Sequence, residues 1–422
     1  MNLPRFLRNG FTGFEVLDVK EWLSEGRIEV ILESTSSKSW NGHRCGNALG
    51  ASQGKYRQKI LGMPIMGYKL EILFWRRVGR CNHCKKVRAE DVSFISKDTP
   101  HMSEEYSWWL GRLCEIAAVS RVAELCELDE TTLWRIDFER MKHMLSRYKI
   151  PALKRLSVDE VYARKKPKYK DEPRTKRFFT VVSDLDTRKV VWVSEGRSKE
   201  ALDQFFVLIG KESCEKIEVA AMDQFDGYFS SVKEHCRNCT IVWDKFHLMK
   251  VFEEAVNESR KNLHAEAIRG SPQQLWTSGR YRYIFLKKSN RRTDEEKLHI
   301  SQVTKSNEKF SKLEIIKERM LSFFDSTSED EAKMIFEQLG DWIWQAQLEP
   351  LMKWYLNFEK GWDTAKNYFK FKTSSALSEG INNVIKSIKR RAFGYKNMEY
   401  FRLKIMQVCG YLNSRFITAR IQ

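Results

Sequence analysis

The chain has 422 residues, enough for two or three domains with cores of their own. Its 74 Lys and Arg residues outnumber its 56 Asp and Glu residues, giving a formal net charge of +18. Such an excess says little about the fold but favours a polyanionic partner, with nucleic acid as the first candidate. No apolar run approaches the roughly 20 residues that a membrane helix needs, so we expect no membrane partner.

The number of cysteines bears on whether the protein works in an oxidising or a reducing compartment. Nine cysteines in a chain of this length do not indicate a disulfide scaffold, and no secretory apolar segment follows Met1. Both observations favour a reducing compartment, where paired cysteines more often bind metal. We therefore predict a cytoplasmic protein.

Residues 1–98 are predicted to form a small β-rich module, because apolar residues alternate at 28, 30 and 32 and again at 70, 72 and 74. Two short cysteine-containing segments, 43–45 and 81–84, have the layout of a zinc ribbon. The first is defective, since Gly42 stands where a cysteine is expected. We expect either structural Zn²⁺ or a ribbon that has lost its metal. The expected ligands are Cys45, Cys81 and Cys84, with His43 or His83 as the fourth.

Residues 99–150 are predicted to be helical, with Trp109, Leu113 and Ile116 on one face of the first helix. The segment 119–136 has the spacing of a helix-turn-helix, and Asp129 is placed to cap its second helix. A plain helical hairpin is the alternative. In a helix-turn-helix the outward residues at the start of the second helix face the DNA major groove. Here these residues are Thr131, Thr132 and Arg135.

Residues 151–267 show an α/β order of elements. Three predicted strands joined by short links indicate an antiparallel meander, and a helix, a strand, a helix and a strand follow. This is the order of the ribonuclease H-like fold, an α/β fold with a mixed sheet. In that fold one catalytic carboxylate lies on the first strand and another just after the fourth, where Asp159 and Asp223 fall. The predicted strands are 155–162, 177–185, 190–194, 216–222 and 240–243, and the helices 199–209 and 225–235.

Other acidic residues and one histidine lie near these positions. Glu160 follows Asp159 and should point to the opposite face of its strand. Asp244 ends the last predicted strand, and His247 follows it by three residues. His247 is either an accessory residue that orients a phosphate or water, with Asp244 beside it, or an ordinary histidine at the start of a helix.

Residues 268–372 interrupt this order and are predicted to be a helical insertion with an aromatic core. The insertion opens with a basic run that would either contact phosphates or form a solvated face. The run consists of Arg280, Arg282, Lys287, Lys288, Arg291 and Arg292.

Residues 373–422 are predicted to complete the α/β core with two helices, the second starting at Met398. In the first, an apolar stripe should face the sheet, formed by Leu377, Ile381, Val384 and Ile388. Glu379 lies off this stripe. A ladder of cations follows it along the helix, as suits a helix beside metal and phosphates: Lys386, Lys389, Arg390 and Arg391.

Several segments together resemble the transposases of the bacterial ISL-three insertion-sequence family. They are Asp159-Glu160 and the segments 223–228, 242–247, 379–382 and 389–397. The resemblance implies a DDE-type core in which Asp159, Asp223 and Glu379 bind Mg²⁺ or Mn²⁺. It also implies an enzyme that binds terminal inverted repeats, cleaves and transfers strands, and acts as a homo-oligomer on double-stranded DNA, both transposon ends and target. Such a protein would be associated with the bacterial nucleoid.

Two other functions are compatible with the sequence. One is a catalytically inactive DNA-binding protein derived from a transposase, although all three carboxylates are present. The other is a nuclease for branched DNA, which would share the core but would not need a ribbon and a helix-turn-helix.

Overall fold

The computed structural model describes residues 10–35, 40–42, 46–97, 99–164, 173–271, 274, 277–372 and 376–413. The chain forms two compact units. The first comprises residues 1–148, 390–393 and 399–422, and the second comprises residues 149–389 and 394–398. Each contains a mixed β-sheet and helices, so the predicted α/β class is confirmed.

The sheet of the first unit has the order β1-β2-β4-β3, with β5 pairing β4. Strands β2 and β4 are parallel, and the other neighbours are antiparallel. The predicted alternation is confirmed, because Val30, Leu32, Ile72 and Phe74 are buried on one side. The strands are β1 Phe14–Trp22, β2 Arg27–Ser34, β3 Leu49–Ile65, β4 Tyr68–Cys81 and β5 Val87–Ala89.

Three helices follow in this unit: α1 Glu104–Ile116, α2 Val119–Leu125 and α3 Glu130–Arg147. The predicted cap is confirmed, since the Asp129 carboxylate accepts a hydrogen bond from the Thr132 backbone N–H at 2.7 Å. Of the three residues predicted to share one face of α1, Trp109 and Leu113 pack against the core, whereas Ile116 is 72% exposed. The buried face is shifted by one position and consists of Tyr106, Leu110 and Cys114.

The sheet of the second unit has the order β10-β9-β6-β7-β8. The predicted antiparallel meander is confirmed by the pairing of β7 with β6 and with β8. Strands β6, β9 and β10 are parallel neighbours. The strands are β6 Arg155–Tyr162, β7 Phe178–Asp184, β8 Lys189–Glu195, β9 Val219–Met222 and β10 Thr240–Trp243.

Helices surround a large aromatic core in the second unit, which includes Phe252, Phe310, Phe323 and Trp354. The helices connecting strands are α4 Lys199–Ile209, α5 Lys211–Glu215 and α6 Asp226–His235, and α7 Lys245–Glu266 follows β10. The further helices are α8 Arg282–Leu286, α9 Asp294–Ser306, α10 Glu308–Phe323, α11 Glu329–Ala346, α12 Glu349–Lys360, α13 Trp362–Ala365 and α14 Asn367–Phe371.

The basic run of the helical segment is partly structural. Arg292 is buried and ion-paired with Glu314, because a buried guanidinium needs a counter-charge. Lys287 and Lys288 also pair with carboxylates of this unit. The expectation of phosphate contact was therefore wrong for Arg292, and the Arg280 side chain lies outside the described part.

The last two helices are α15 Ala376–Arg391 and α16 Met398–Cys409. The predicted stripe of α15 was wrong at Val384, which is 42% exposed, whereas Ile385 is 1% exposed. Helix α16 belongs to the first unit, where Tyr400 and Lys404 bind the Asp137 carboxylate. None of the described helices combines the length and the apolar character that a membrane crossing needs.

Candidate active site

Three acidic residues lie side by side on the parallel strands: Asp223 and Asp244 directly follow β9 and β10, and Asp159 lies at the same level within β6. Val158 pairs with Met222, and Met222 pairs with Trp243. The residues that follow these three, which are all aspartates, are therefore at the same level across the strands. Neighbouring strands are about 4.8 Å apart, which sets the spacing of these residues. We call them the carboxylate row: Asp159, Asp223 and Asp244.

Asp159 is held by two hydrogen bonds. Its Oδ1 accepts from the backbone N–H of Glu160 at 2.8 Å, and its Oδ2 accepts from Asn382 Nδ2 of α15 at 2.8 Å. Burial raises the pKa of this carboxyl to about 6; the Glu160 N–H and His247 oppose the increase, and Asp223 adds to it. Keeping Asp159 ionised at neutral pH therefore benefits from nearby positive charge.

Asp223 is 7% exposed and binds Arg197, whose Nη2 lies 3.0 Å from its Oδ2. Its Oδ1 is buried and accepts no hydrogen bond from a fixed donor among the described residues. Burial raises the pKa of Asp223, and Arg197, His247 and a hydrogen bond with the Glu160 side chain oppose that increase. A buried carboxylate oxygen in these surroundings is suited to a cation or to a proton shared with Glu160.

Glu160 is also part of this charge cluster. Alternation along β6 places it on the face opposite to Asp159, but Arg197 Nη1 lies 3.2 Å from its Oε1 and joins it to Asp223. Burial and then Asp223 raise the pKa of Glu160 to about 7. Sequence reasoning set Glu160 aside and missed Arg197, which follows β8 and is marked by no motif.

Asp244 orients His247. Its Oδ1 accepts from the Phe246 backbone N–H at 2.9 Å, capping α7, and its Oδ2 lies 3.0 Å from His247 Nδ1. The hydrogen bond to Asp244 raises the pKa of His247, which favours the imidazolium. The charge of His247 acts in turn on Asp159 and Asp223.

Glu379 does not contact the row. It is exposed on α15, and its carboxylate makes no hydrogen bond or ion pair with the described residues. Its helix does reach the sheet, because Asn382 binds Asp159 and the hydroxyls of Ser378 and Ser157 lie 2.8 Å apart. Within the described ranges, no three His, Cys, Asp or Glu side chains are close enough together to hold a metal ion.

The predicted DNA-binding cations on α15 have different surroundings. Lys386 and Arg390 are exposed. Lys389 Nζ donates to the Tyr162 carbonyl at 3.0 Å, and Arg391 donates to a backbone carbonyl at the end of α1 at 2.6 Å. Lys386 and Arg390 are thus the more accessible pair.

The residues predicted to enter the major groove lie at the start of α3. Thr131 and Arg135 are exposed, and Thr132 is half-buried beside its cap Asp129. Between α2 and α3, Glu127 has a positive φ of 50° in the turn. The outward orientation required of a groove-contacting surface is therefore present at Thr131 and Arg135.

The predicted zinc ligands are described in part. Cys81 is buried at the end of β4, and its Sγ accepts from the Cys84 backbone N–H at 3.4 Å. His43 and Cys45 lie outside the described residues. Ala48, which follows them in the chain, lies beside the segment that contains Cys81 and Cys84, since its carbonyl accepts a hydrogen bond from the Asn82 backbone N–H at 3.3 Å.

Comparison with known proteins defines the class. A family model described as Transposase matches residues 156–405. The transposase for insertion sequence element IS1001 of Bordetella parapertussis is 23% identical over 412 residues, covering 94% of this chain and 95% of that protein. The transposase for IS1557 of Mycobacterium tuberculosis (strain CDC 1551 / Oshkosh) is 23% identical over 267 residues, covering 58% of this chain and 57% of that protein.

The class is therefore that of the insertion-sequence transposases. Within it, the chain belongs to the ISL-three family, DDE_Tnp_ISL3, as the sequence motifs predicted. The matched span contains all three residues of the carboxylate row and Glu379.

Proposed function

We propose that this protein is a DNA transposase that binds terminal inverted repeats and catalyses metal-dependent strand cleavage and strand transfer. The observation that carries the proposal is the carboxylate row, together with the unpaired buried oxygen of Asp223. Family membership supports the same conclusion.

The strand order supports a ribonuclease H-like core. Three antiparallel strands are followed by two that run parallel to the first, on its other side. This order brings Asp159 of the first strand next to Asp223 after the fourth. In open α/β sheets, ligands bind beyond the carboxyl ends of such strands.

The donor atoms available to an ion are carboxylate oxygens, the ligands that Mg²⁺ or Mn²⁺ prefers. Asp159 and Asp223 lie at the same level on neighbouring strands, and Arg197 contacts Asp223 and Glu160. Because no three acidic side chains in the described ranges are close enough together to hold an ion, a third ligand has to come from another element. We propose that Asp159 and Asp223 hold the ion and that Glu379 completes the site. A bound ion supplies activation of the attacking oxygen and stabilisation of the leaving oxygen.

The chain's own residues orient these groups. Asn382 fixes Asp159, and Glu379 lies one helical turn before Asn382, on the element that already reaches the row. His247, held by Asp244, would present an imidazolium to a DNA phosphate as an accessory group.

DNA recognition is assigned to separate surfaces. In this proposal Thr131, Thr132 and Arg135 enter the major groove as part of a helix-turn-helix, and the zinc-ribbon-like module contributes beside them. Lys386 and Arg390 contact phosphates, and two copies act on paired ends. Such an enzyme works where the bacterial nucleoid is, in the cytoplasm.

The test is strand cleavage of the element's own ends with Mg²⁺. Asp159→Asn, Asp223→Asn and Glu379→Gln should each raise the barrier by about 4 kcal/mol, or roughly 10³-fold in rate. DNA affinity should stay within about twofold, because phosphate contacts come from other surfaces. Asp226→Asn, an exposed acid three residues after Asp223, is the matched control and should cleave normally.

Two outcomes would decide against the proposal. Full cleavage by any of the three variants removes that residue from the catalytic set. A wild-type protein that binds its ends tightly but leaves them uncut with either ion supports the alternative, an inactive transposase-derived DNA-binding protein.

The zinc site has its own measurement. Structural zinc would appear as one ion per chain by elemental analysis, and Cys81→Ser should release it and destabilise the first sheet. Cys126→Ser, a half-buried cysteine of the helical part, is the control and should keep the ion. Zinc-free wild-type protein would mean that the ribbon has lost its metal.

A further inference from the structure

Arg197 forms a bridge between two acidic side chains. Its Nη1 lies 3.2 Å from Glu160 Oε1 and its Nη2 lies 3.0 Å from Asp223 Oδ2. The guanidinium carbon is 4.6 Å from the centroid of the Phe225 ring, and the backbone N–H of Arg197 donates to the Thr175 carbonyl at 3.0 Å. Both the backbone and the side chain of Arg197 are therefore held in place.

The bridge leaves polar atoms unused. Asp223 Oδ1, Glu160 Oε2 and Arg197 Nε are buried and make no hydrogen bond with a fixed donor or acceptor among the described residues, although Asp223 and Glu160 are close enough to share a proton. Two well-matched partners would form two parallel bonds from one guanidinium to one carboxylate. Here one guanidinium is shared between two carboxylates, so each interaction is weaker than a bidentate pair and easier to exchange.

We propose that Arg197 is the counter-cation of Asp223 when no divalent ion is bound, and that Arg197 and the divalent ion compete for this carboxylate. The inference rests on the proposed function, because it takes Asp223 as a metal ligand. Glu160 is the second partner that keeps the guanidinium beside the site once Asp223 binds the ion. Arg197 and Glu160 are thus positioning residues for Asp223.

The competition has a definite sign. Arginine stays protonated at any working pH, so its positive charge always opposes a cation at Asp223. Removing that charge should tighten metal binding, whereas a residue that merely supports the fold of the site would weaken it when removed. Metal affinity therefore separates the two roles without any measurement of catalysis.

The experiment is a titration of the full chain with Mn²⁺, followed by the electron paramagnetic resonance signal of the free ion. Arg197→Gln should bind Mn²⁺ about tenfold more tightly than the wild type, since a contacting charge is lost. Lys199→Gln is the matched control, because Lys199 pairs with Asp203 and Glu234 instead. It removes the same charge two residues away and should leave the affinity within about twofold.

Asp223→Asn distinguishes this inference from the proposed function. It should weaken Mn²⁺ binding and abolish the gain caused by Arg197→Gln. Unchanged or weaker binding by Arg197→Gln, with Asp223→Asn still defective, overturns the competition and leaves the metal site standing. Binding unaffected by Asp223→Asn overturns both.

Two further variants guard against misfolding and test Glu160. Arg197→Lys keeps the charge, so it should leave the Mn²⁺ affinity within about threefold of the wild type; a gain as large as that of Arg197→Gln in this folded variant overturns the competition of charges. Glu160→Gln removes a negative charge and leaves the guanidinium to Asp223 alone, so it should weaken Mn²⁺ binding more in the wild type than in Arg197→Gln. Equal weakening in both backgrounds would show that Glu160 acts independently of Arg197 and would end its assigned role.

Discussion

Replacing Lys404 by Met should destabilise the helical part of the first unit strongly. Lys404 Nζ lies 2.6 Å from Asp137 Oδ2 and donates to the Cys114 carbonyl at 2.6 Å. Asp137 is fully buried and Lys404 is 3% exposed. Without the amine, the partners of Asp137 within the described ranges are the Tyr400 hydroxyl at 2.6 Å and the distant Arg140 at 3.9 Å. Removing one partner of a buried pair destabilises by about 3–5 kcal/mol.

Two further variants set the scale of this effect. Tyr400→Phe removes one hydrogen bond to the charged Asp137 and should destabilise by about 1.5–3 kcal/mol. Arg121→Met breaks an exposed pair with Glu124, in which the Arg121 side chain is 77% exposed, and should change stability by less than about 1 kcal/mol.

The assay uses the buried thiol of Cys114 as a reporter of opening. Burial raises the pKa of this thiol to about 12, so it reacts with iodoacetamide only when the unit opens. Lys404 lowers that pKa in the folded state, so its loss cannot by itself accelerate the closed form. Mass spectrometry should show alkylation of Cys114 in Lys404→Met that is roughly 10²- to 10⁴-fold faster, at 1.4 kcal/mol per factor of ten.

A rate in Lys404→Met within tenfold of the wild type would refute the reasoning. So would an equal acceleration in Arg121→Met, because the effect would then follow net charge and not the buried pair.

Two other predictions concern the second unit. Gly361→Ala should destabilise by about 1–3 kcal/mol in urea unfolding, because its Cβ would overlap the Trp243 ring; unchanged stability would show that the ring moves aside easily. Asn382→Ala should lower single-turnover cleavage roughly 10- to 100-fold with unchanged DNA affinity, since one hydrogen bond to the Asp159 carboxylate is worth about 1.5–3 kcal/mol. Its exposed neighbour Asn383, changed to Ala, should behave as the wild type, and a defect confined to DNA binding in Asn382→Ala would contradict the assigned contact.

Local sequence patterns predicted the secondary-structure elements and caps, which depend on residues close together along the chain. The strands of the second sheet follow from short apolar runs, and the cap at Asp129 follows from residue type and position. The neighbouring positions of Asp159 and Asp223 could be predicted because the element order implied the strand order. These features need no knowledge of side-chain packing.

Features that depend on packing were missed or misplaced. A helix period of 3.6 residues fits Val384 and Ile385 almost equally well, and only tertiary packing selects Ile385 as the buried residue. Arg197 and Glu160 are 37 positions apart in the numbering, and no local pattern links them. The position of Glu379 also depends on tertiary structure, since one exposed side chain on a helix can point to solvent or to the row.

Helix α16 is synthesised last among the described helices, although it packs in the first unit. Residues 400–409 leave the ribosome after the sheet that carries the carboxylate row has been made, yet they supply the amine that Asp137 needs. A polypeptide that terminates before Tyr400 would therefore contain helices α1 to α3 but lack the residues of α16 that bind the buried Asp137 carboxylate.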